Sequence, residues 1–115
     1  MIKKNSERET EVRKNMRGGP GEVTIRHYFK KDEINARCRL CARLSLLPGA
    51  GIGLHEHANE DEIFIIEQGK AVITEQGKEI EVEAGDSILT GKGASHAIRN
   101  SSETPLLITA IIMEY

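Results

Sequence analysis

Two histidines and a glutamate lie close together near the middle of the chain. His55 and His57 are two residues apart, and because successive side chains on a strand point to opposite faces, both project from one face with Cα atoms roughly 6.5–7 Å apart. That spacing allows both imidazoles to bind one ion. Residues 58–61 are polar and turn-forming, which predicts a β-hairpin with Glu62 opposite His57 on the returning strand.

The apolar neighbours of Glu62 also indicate a bound cation. Alternation places Glu62, Phe64 and Ile66 on one face of the returning strand. A buried carboxylate without a partner is costly, and a divalent cation would remove that cost. A single histidine on a half-buried strand is usually a hydrogen-bonded structural residue, whereas several converging histidines and a carboxylate form a ligand set suited to first-row transition metals.

The spacing of these residues resembles the first motif of the cupin superfamily. That motif is Gly, five residues, His-x-His, three or four residues, Glu, six residues and Gly. This chain matches every position, with Gly49, His55, His57, Glu62 and Gly69.

A second stretch resembles the second cupin motif, which is Gly, five residues, Pro-x-Gly, two residues, His, three residues and Asn. Gly85, Gly93, His96 and Asn100 match it. Gly91 stands where the motif has proline. Because proline fixes φ and glycine frees it, this departure concerns the stiffness of the turn before His96 and leaves the ligands unchanged.

The resemblance implies an all-β fold, a double-stranded β-helix or jelly-roll barrel, over residues 22–113. It also implies that one divalent transition metal ion (Mn, Fe, Ni, Co, Zn or Cu) is bound inside the barrel. The implied ligands are His55, His57, Glu62 and His96. The hydrophobic pattern agrees with the fold, because short alternating segments separated by glycine-rich turns favour a sandwich or barrel.

Several of these alternating segments carry further predictions. In residues 37–46, Cys38 is predicted to face inward, Arg37, Arg39 and Arg43 outward, and Cys38 and Cys41 to lie on opposite faces, too far apart for a disulfide. Residues 70–75 and 78–83 are predicted to form a hairpin around Gln76 and Gly77, followed by a strand at residues 87–90. His96, Ile98 and Asn100 are predicted to share an inner face.

The domain prediction is an N-terminal arm, residues 1–21, and one cupin barrel domain, residues 22–115. In the arm, Ser6 and Glu9 have capping-box spacing and Val12 with Met16 could form a narrow stripe, so a short helix and a mobile or partner-dependent arm both stay open. Residues 23–29 and 106–112 are apolar enough to predict exposed sheet edges and therefore a homodimer.

Composition excludes several classes of partner. A net charge of −2 favours neither nucleic acid nor anionic lipid, and aromatic residues are 3% without Trp, which argues against stacking platforms for single strands. No apolar run approaches the ~20 residues of a membrane span, and the N-terminus lacks a signal-peptide core, so we expect a cytoplasmic protein. A transcription regulator is disfavoured because the chain has no room for a helix-turn-helix domain and no basic face.

Four protein ligands on a six-coordinate ion would leave two positions for a small molecule, which is typical of a catalytic centre. The resemblance therefore favours a small metal-dependent enzyme of the dioxygenase, isomerase, decarboxylase or lyase type. A non-catalytic binding or sensing module is the alternative. His27 and Tyr28 are the candidates for a nearby general acid or base, although the usual role of His27 would be at a core edge or interface.

Overall fold

The computed structural model describes all 115 residues. The chain folds into two antiparallel sheets that face each other. Ten strands are present: β1 (Thr10–Lys14), β2 (Glu22–His27), β3 (Cys38–Leu46), β4 (Gly51–Glu56), β5 (Glu60–Gln68), β6 (Lys70–Glu75), β7 (Lys78–Glu83), β8 (Ser87–Thr90), β9 (Ser95–Asn100) and β10 (Leu106–Glu114). Three single-turn 3-10 helices lie at Asn5–Glu7, Met16–Gly18 and Lys31–Glu33. The all-β jelly-roll prediction is therefore confirmed.

One sheet has six strands in the order β1-β2-β3-β10-β5-β8, and the other has four in the order β4-β9-β6-β7. The strands alternate because one face of each sheet packs inward. Their inner faces form one core of small and branched residues around Phe64, which is 1% exposed. No helix is long and apolar enough to cross a membrane.

The predicted hairpin between the two histidines and Glu62 is wrong. β4 belongs to the four-stranded sheet and β5 to the six-stranded sheet, so residues 57–59 cross from one sheet to the other. Asn59 adopts φ 58° in this crossing, a left-handed conformation that asparagine tolerates better than most residues. The ligands therefore approach each other from facing sheets.

The helix considered for the N-terminal arm is also wrong, because residues 10–14 form strand β1, paired antiparallel with β2. Met16 then packs against the core from the 3-10 turn that follows. Too few apolar residues repeat at helical spacing here, and an open edge of the sheet is available for backbone pairing. The domain boundary at residue 21 stays a prediction.

The edges invoked for a homodimer are not edges. β10 lies between β3 and β5, and β2 lies between β1 and β3. The free edges belong to β1 and β8 in one sheet and to β4 and β7 in the other. The homodimer stays a prediction, and these two strands no longer support it.

Candidate metal centre

A β-bulge in β4 delivers His55 to the interior. Ile52 pairs with Ile98 and His55 pairs with His96, so two residues of β4 lie opposite one residue of β9. Strict alternation would send Ile52 and His55 to opposite faces, and the extra residue restores both to the inner face. Leu54 is 65% exposed as a result.

His57 lies one residue beyond the end of β4, and backbone hydrogen bonds hold it there. Its N–H donates to the Ala94 carbonyl at 3.0 Å, and its own carbonyl accepts from Gly93 N–H at 3.1 Å. These bonds extend the pairing of β4 with β9 past the formal end of the strand. The side chain of His57 is 2% exposed.

Glu62 and His96 complete the cluster from β5 and β9. Glu62 is 4% exposed and lies in register between Ile112 and Thr90. His96 is 1% exposed, and its ring stacks on Phe64 with centroids 5.0 Å apart. The predicted inner faces of both segments are confirmed by this burial.

The four side chains converge, with one ligand atom from each lying within 4.8 Å of all the others. His96 Nε2 is 3.0 Å from His57 Nε2, 3.1 Å from His55 Nε2 and 2.9 Å from Glu62 Oε1. His57 Nε2 is 3.0 Å from the same carboxylate oxygen. Four potential ligand atoms therefore surround one point.

Each histidine has its other ring nitrogen occupied. His55 Nδ1 lies 2.7 Å from the Gly53 carbonyl, and His57 Nδ1 lies 2.6 Å from Glu60 Oε2. These acceptors assign the proton to Nδ1 in both rings and leave Nε2 as a lone pair facing inward.

The third ring follows the same pattern. Thr90 Oγ1 lies 2.9 Å from His96 Nδ1, and the Thr90 hydroxyl donates to Glu75 Oε1 at 3.4 Å. The Thr90 oxygen is thereby left to accept the Nδ1 proton of His96. All three imidazoles consequently direct an unprotonated nitrogen toward Glu62.

The spacing of the ligand atoms fits a divalent ion with octahedral angles. Metal–ligand bonds of about 2.0–2.2 Å place neighbouring ligands roughly 2.8–3.1 Å apart at 90°, and roughly 3.3–3.6 Å apart at the tetrahedral angle. The four short distances, 2.9–3.1 Å, match the first range. Glu62 Oε1 also makes no well-formed hydrogen bond although it is buried, so its position suits a cation.

The electrostatics of the cluster agree with this role. Burial would raise the pKa of Glu62, but the imidazoles of His57 and then His96, which stabilise its charged form, outweigh burial and lower that pKa. Burial opposes the charge of His57, but the Glu62 and Glu60 carboxylates outweigh it and raise its pKa. Burial lowers the pKa of His55. A single proton near Glu62 cannot hydrogen-bond to all four converging atoms, whereas a cation can bind all four.

Sequence reasoning missed Glu60 and Arg39. Glu60 was assigned to a polar turn, yet it starts β5, is 8% exposed and accepts from Arg39 at 2.8 and 2.7 Å as well as from His57. The Arg39 guanidinium holds the pKa of Glu60 down, to about 2. Arg39 was predicted to face outward, which is wrong.

The reason for the error at Arg39 is a second bulge. Leu40 pairs with Ile112 and Cys38 with Met113, so Arg39 is the extra residue and the alternation breaks there. A residue that departs from alternation cannot be located from the pattern of its own strand. Cys38 is buried, and both cysteines are free thiols.

The turn before His96 is held by the C-terminal residue. The Tyr115 hydroxyl donates to the Asp61 carboxylate and accepts from Lys92 N–H at 3.2 Å. A Cβ at Gly91 would lie 1.8 Å from Asp61 Oδ1, so this position favours glycine over the proline of the motif while Asp61 is so placed. Tyr115 and Asp61 thus supply rigidity that proline would otherwise give.

A cavity of about 130 Å³ opens beside the cluster. Its lining includes His55, His57, Glu62, Phe64 and His27. The cavity therefore has room for a small molecule beside the cluster.

Of the two acid–base candidates, the structure brings only His27 to this cavity. Tyr28 lies on the outer face of the sheet, where its hydroxyl is 3.4 Å from Thr109 Oγ1 and the Arg8 guanidinium is 4.2 Å from its ring centroid. The two residues are adjacent in the chain, so alternation sends their side chains to opposite faces.

The fold and the cluster together define the class of protein, and the chain belongs to the cupin family: residues 42–112 match the cupin domain. The chain is 41% identical over 113 residues to the oxalate-binding protein of Thermotoga maritima, a match covering 98% of this chain and 93% of that protein.

Solved structures share the fold of this chain. A crystal structure described as a predicted oxalate decarboxylase, also from Thermotoga maritima, shares 40% identity and a TM-score of 0.94 over the full length of both chains. A cupin 2 conserved barrel domain protein from Salinispora arenicola has 23% identity and a TM-score of 0.69, covering 80% of this chain and 76% of that one, and so shares the fold.

Proposed function

We propose that this protein binds oxalate, or a dicarboxylate of similar size, on a divalent transition metal ion held by His55, His57, Glu62 and His96. The observation that carries the proposal is the convergence of three unprotonated Nε2 atoms and one unpaired carboxylate oxygen at 2.9–3.1 Å beside a small cavity. The oxalate-binding relative supports the choice of ligand.

The chemistry of the cavity agrees with a small anion. A divalent ion held there would supply Lewis acidity and open coordination positions for carboxylate oxygens. Arg13, Arg17 and Arg39 line the same cavity, together with the carboxylates of Glu11 and Glu62. Arg13 and Arg39 are paired with Glu11 and Glu60, whereas Arg17 makes no ion pair within 4.0 Å and can balance a ligand charge.

Metal binding is tested with an isosteric pair of variants. Glu62→Gln keeps the shape of the side chain and removes its charge, whereas Glu56→Gln makes the same change at an exposed position at the end of β4. We expect wild-type protein and Glu56→Gln to bind one equivalent of Mn²⁺ by isothermal titration calorimetry, and Glu62→Gln to bind it at least tenfold more weakly. Equal affinity in all three proteins would refute the ligand assignment.

Oxalate binding is tested on the metal-loaded protein. Saturable binding of oxalate that disappears when the metal is removed by a chelator is the expected result. Binding that persists without metal, or no binding at all by metal-loaded protein, would contradict the proposal.

Decarboxylation is the second candidate function, favoured by the relative described as a predicted oxalate decarboxylase. The reaction would break the carbon–carbon bond of oxalate, release carbon dioxide and add one proton to give formate. His27 is the imidazole on the cavity wall outside the metal cluster, and histidine is the side chain that most often acts as a general acid, so His27 is the candidate proton donor. Formate production by metal-loaded protein under air would support this reaction, and oxalate bound but recovered unchanged would leave binding as the function.

A further inference from the structure

His27 has a polar atom in the cavity that nothing in the protein satisfies. Its side chain is 12% exposed, and its Nε2 is buried without a hydrogen-bond partner. Buried nitrogen atoms of this kind are normally paired, since leaving one unpaired costs about 1–3 kcal/mol. The His27 nitrogen is therefore available to a ligand.

His27 lies on the inner face of the six-stranded sheet and lines the same cavity as the metal cluster. His27 pairs with Ala42, Ala42 pairs with Ala110, and Ala110 pairs with Phe64, so these four residues form one inward-facing row across four strands. The two central residues carry only methyl groups. No bulky side chain of the row separates His27 from Phe64, whose ring stacks on His96.

The carboxylate beside His27 does not form a hydrogen bond with its Nε2 atom. Glu11 Oε1 lies 3.6 Å from His27 Nε2, which is beyond hydrogen-bond range. Glu11 is 41% exposed and accepts from Arg13 at 3.0 Å instead. Glu11 therefore leaves His27 Nε2 without a hydrogen-bond partner.

We propose that His27 donates a hydrogen bond from Nε2 to a carboxylate oxygen of the bound ligand that faces away from the metal ion, and so selects dicarboxylates over simple anions. The proposal rests on the function proposed above. A dicarboxylate that binds the ion through one oxygen of each carboxylate has two outer oxygens left. An anion that binds through one atom and fills only the metal position has no group to reach His27.

The test compares two variants of His27 in the full-length, Mn²⁺-loaded protein. His27→Phe keeps a planar ring and removes the donor, whereas His27→Gln keeps an N–H donor. Oxalate and fluoride are titrated into each protein by calorimetry, with the monoatomic fluoride ion reporting the metal ion alone. One hydrogen bond to a charged oxygen corresponds to roughly a ten- to hundredfold change in affinity.

We expect His27→Phe to bind oxalate roughly ten- to a hundredfold more weakly than wild type, with fluoride affinity and metal content unchanged, and His27→Gln to recover most of the loss. Unchanged oxalate affinity in His27→Phe would overturn this inference and leave the proposed function standing. Loss of metal or fluoride binding in His27→Phe, or no recovery in His27→Gln, would show a structural role and would also overturn it. If wild-type protein binds fluoride but no oxalate, the proposed function fails first and this inference fails with it.

Discussion

Replacing Glu60 by glutamine should loosen the metal centre through His57 and lower the stability of the metal-free protein. Glu60 accepts the Nδ1 proton of His57 at 2.6 Å and is itself held by two hydrogen bonds from Arg39. A glutamine at this position keeps the size of the side chain but removes the charge that orients the ring. Carboxylates that orient a metal-bound histidine typically contribute 10- to 100-fold to metal affinity.

The magnitude of the stability change follows from the pKa of Glu60. The pKa lies at about 2 in the folded protein against an ordinary value of 4.5. This depression corresponds to at most about 3 kcal/mol of unfolding free energy at pH 7, and solvent at the partly exposed Arg39 screens part of it. Because the folded-state pKa is the lower one, the contribution is present above about pH 4.5 and is lost as the pH falls toward 2.

Two measurements check this prediction. Mn²⁺ titrations at pH 7 should show affinity 10- to 100-fold weaker in Glu60→Gln than in wild type, and unchanged in the exposed control Glu56→Gln. Urea unfolding of the metal-free proteins should show a stability difference that is largest at pH 7 and shrinks as the pH falls below 4.5. Wild-type metal affinity in Glu60→Gln, or a stability difference independent of pH, would refute the reasoning.

Three further predictions concern the packing at Gly53, the hydrogen bonds of Asn100 and the oligomeric state. In Gly53→Ala the new Cβ would lie 2.0 Å from the Arg17 carbonyl oxygen, so the 3-10 turn must move, and we expect faster hydrogen exchange at residues 15–19; unchanged exchange would count against this packing. Asn100 donates to the Leu46 and Thr104 carbonyls at 2.9 Å, and Asn100→Ala should lower the unfolding free energy by about 2–4 kcal/mol in urea, whereas a loss below about 0.5 kcal/mol would contradict it. Light scattering at micromolar concentration should show a dimer, and a monomer would defeat the homodimer prediction.

The sequence alone determined the strands whose evidence is local. Alternation and the Gln76-Gly77 turn predicted β6 and β7 with the observed bounds, and the same reasoning predicted β8 at Ser87–Thr90. These elements are readable because a two-residue period and a short turn lie within a few consecutive residues. The sequence also predicted His55, His57 and Glu62 as neighbours from their spacing, and His96 through the resemblance to the second cupin motif, and the structure brings these four side chains together.

Only the tertiary structure decided how the strands carrying those residues meet. β4 and β5 are adjacent in the chain yet belong to different sheets, and strand β1 formed where a helix had been considered. Sheet membership depends on partners far away in sequence, so local periodicity carries no information about it. Bulges in β4 and β3 then reversed the facing of particular residues and turned Arg39 inward to Glu60. One inserted residue changes the facing of all that follow, and whether a strand accepts it depends on the strand opposite. The pairing of Arg39 with Glu60 therefore emerged only from the folded chain.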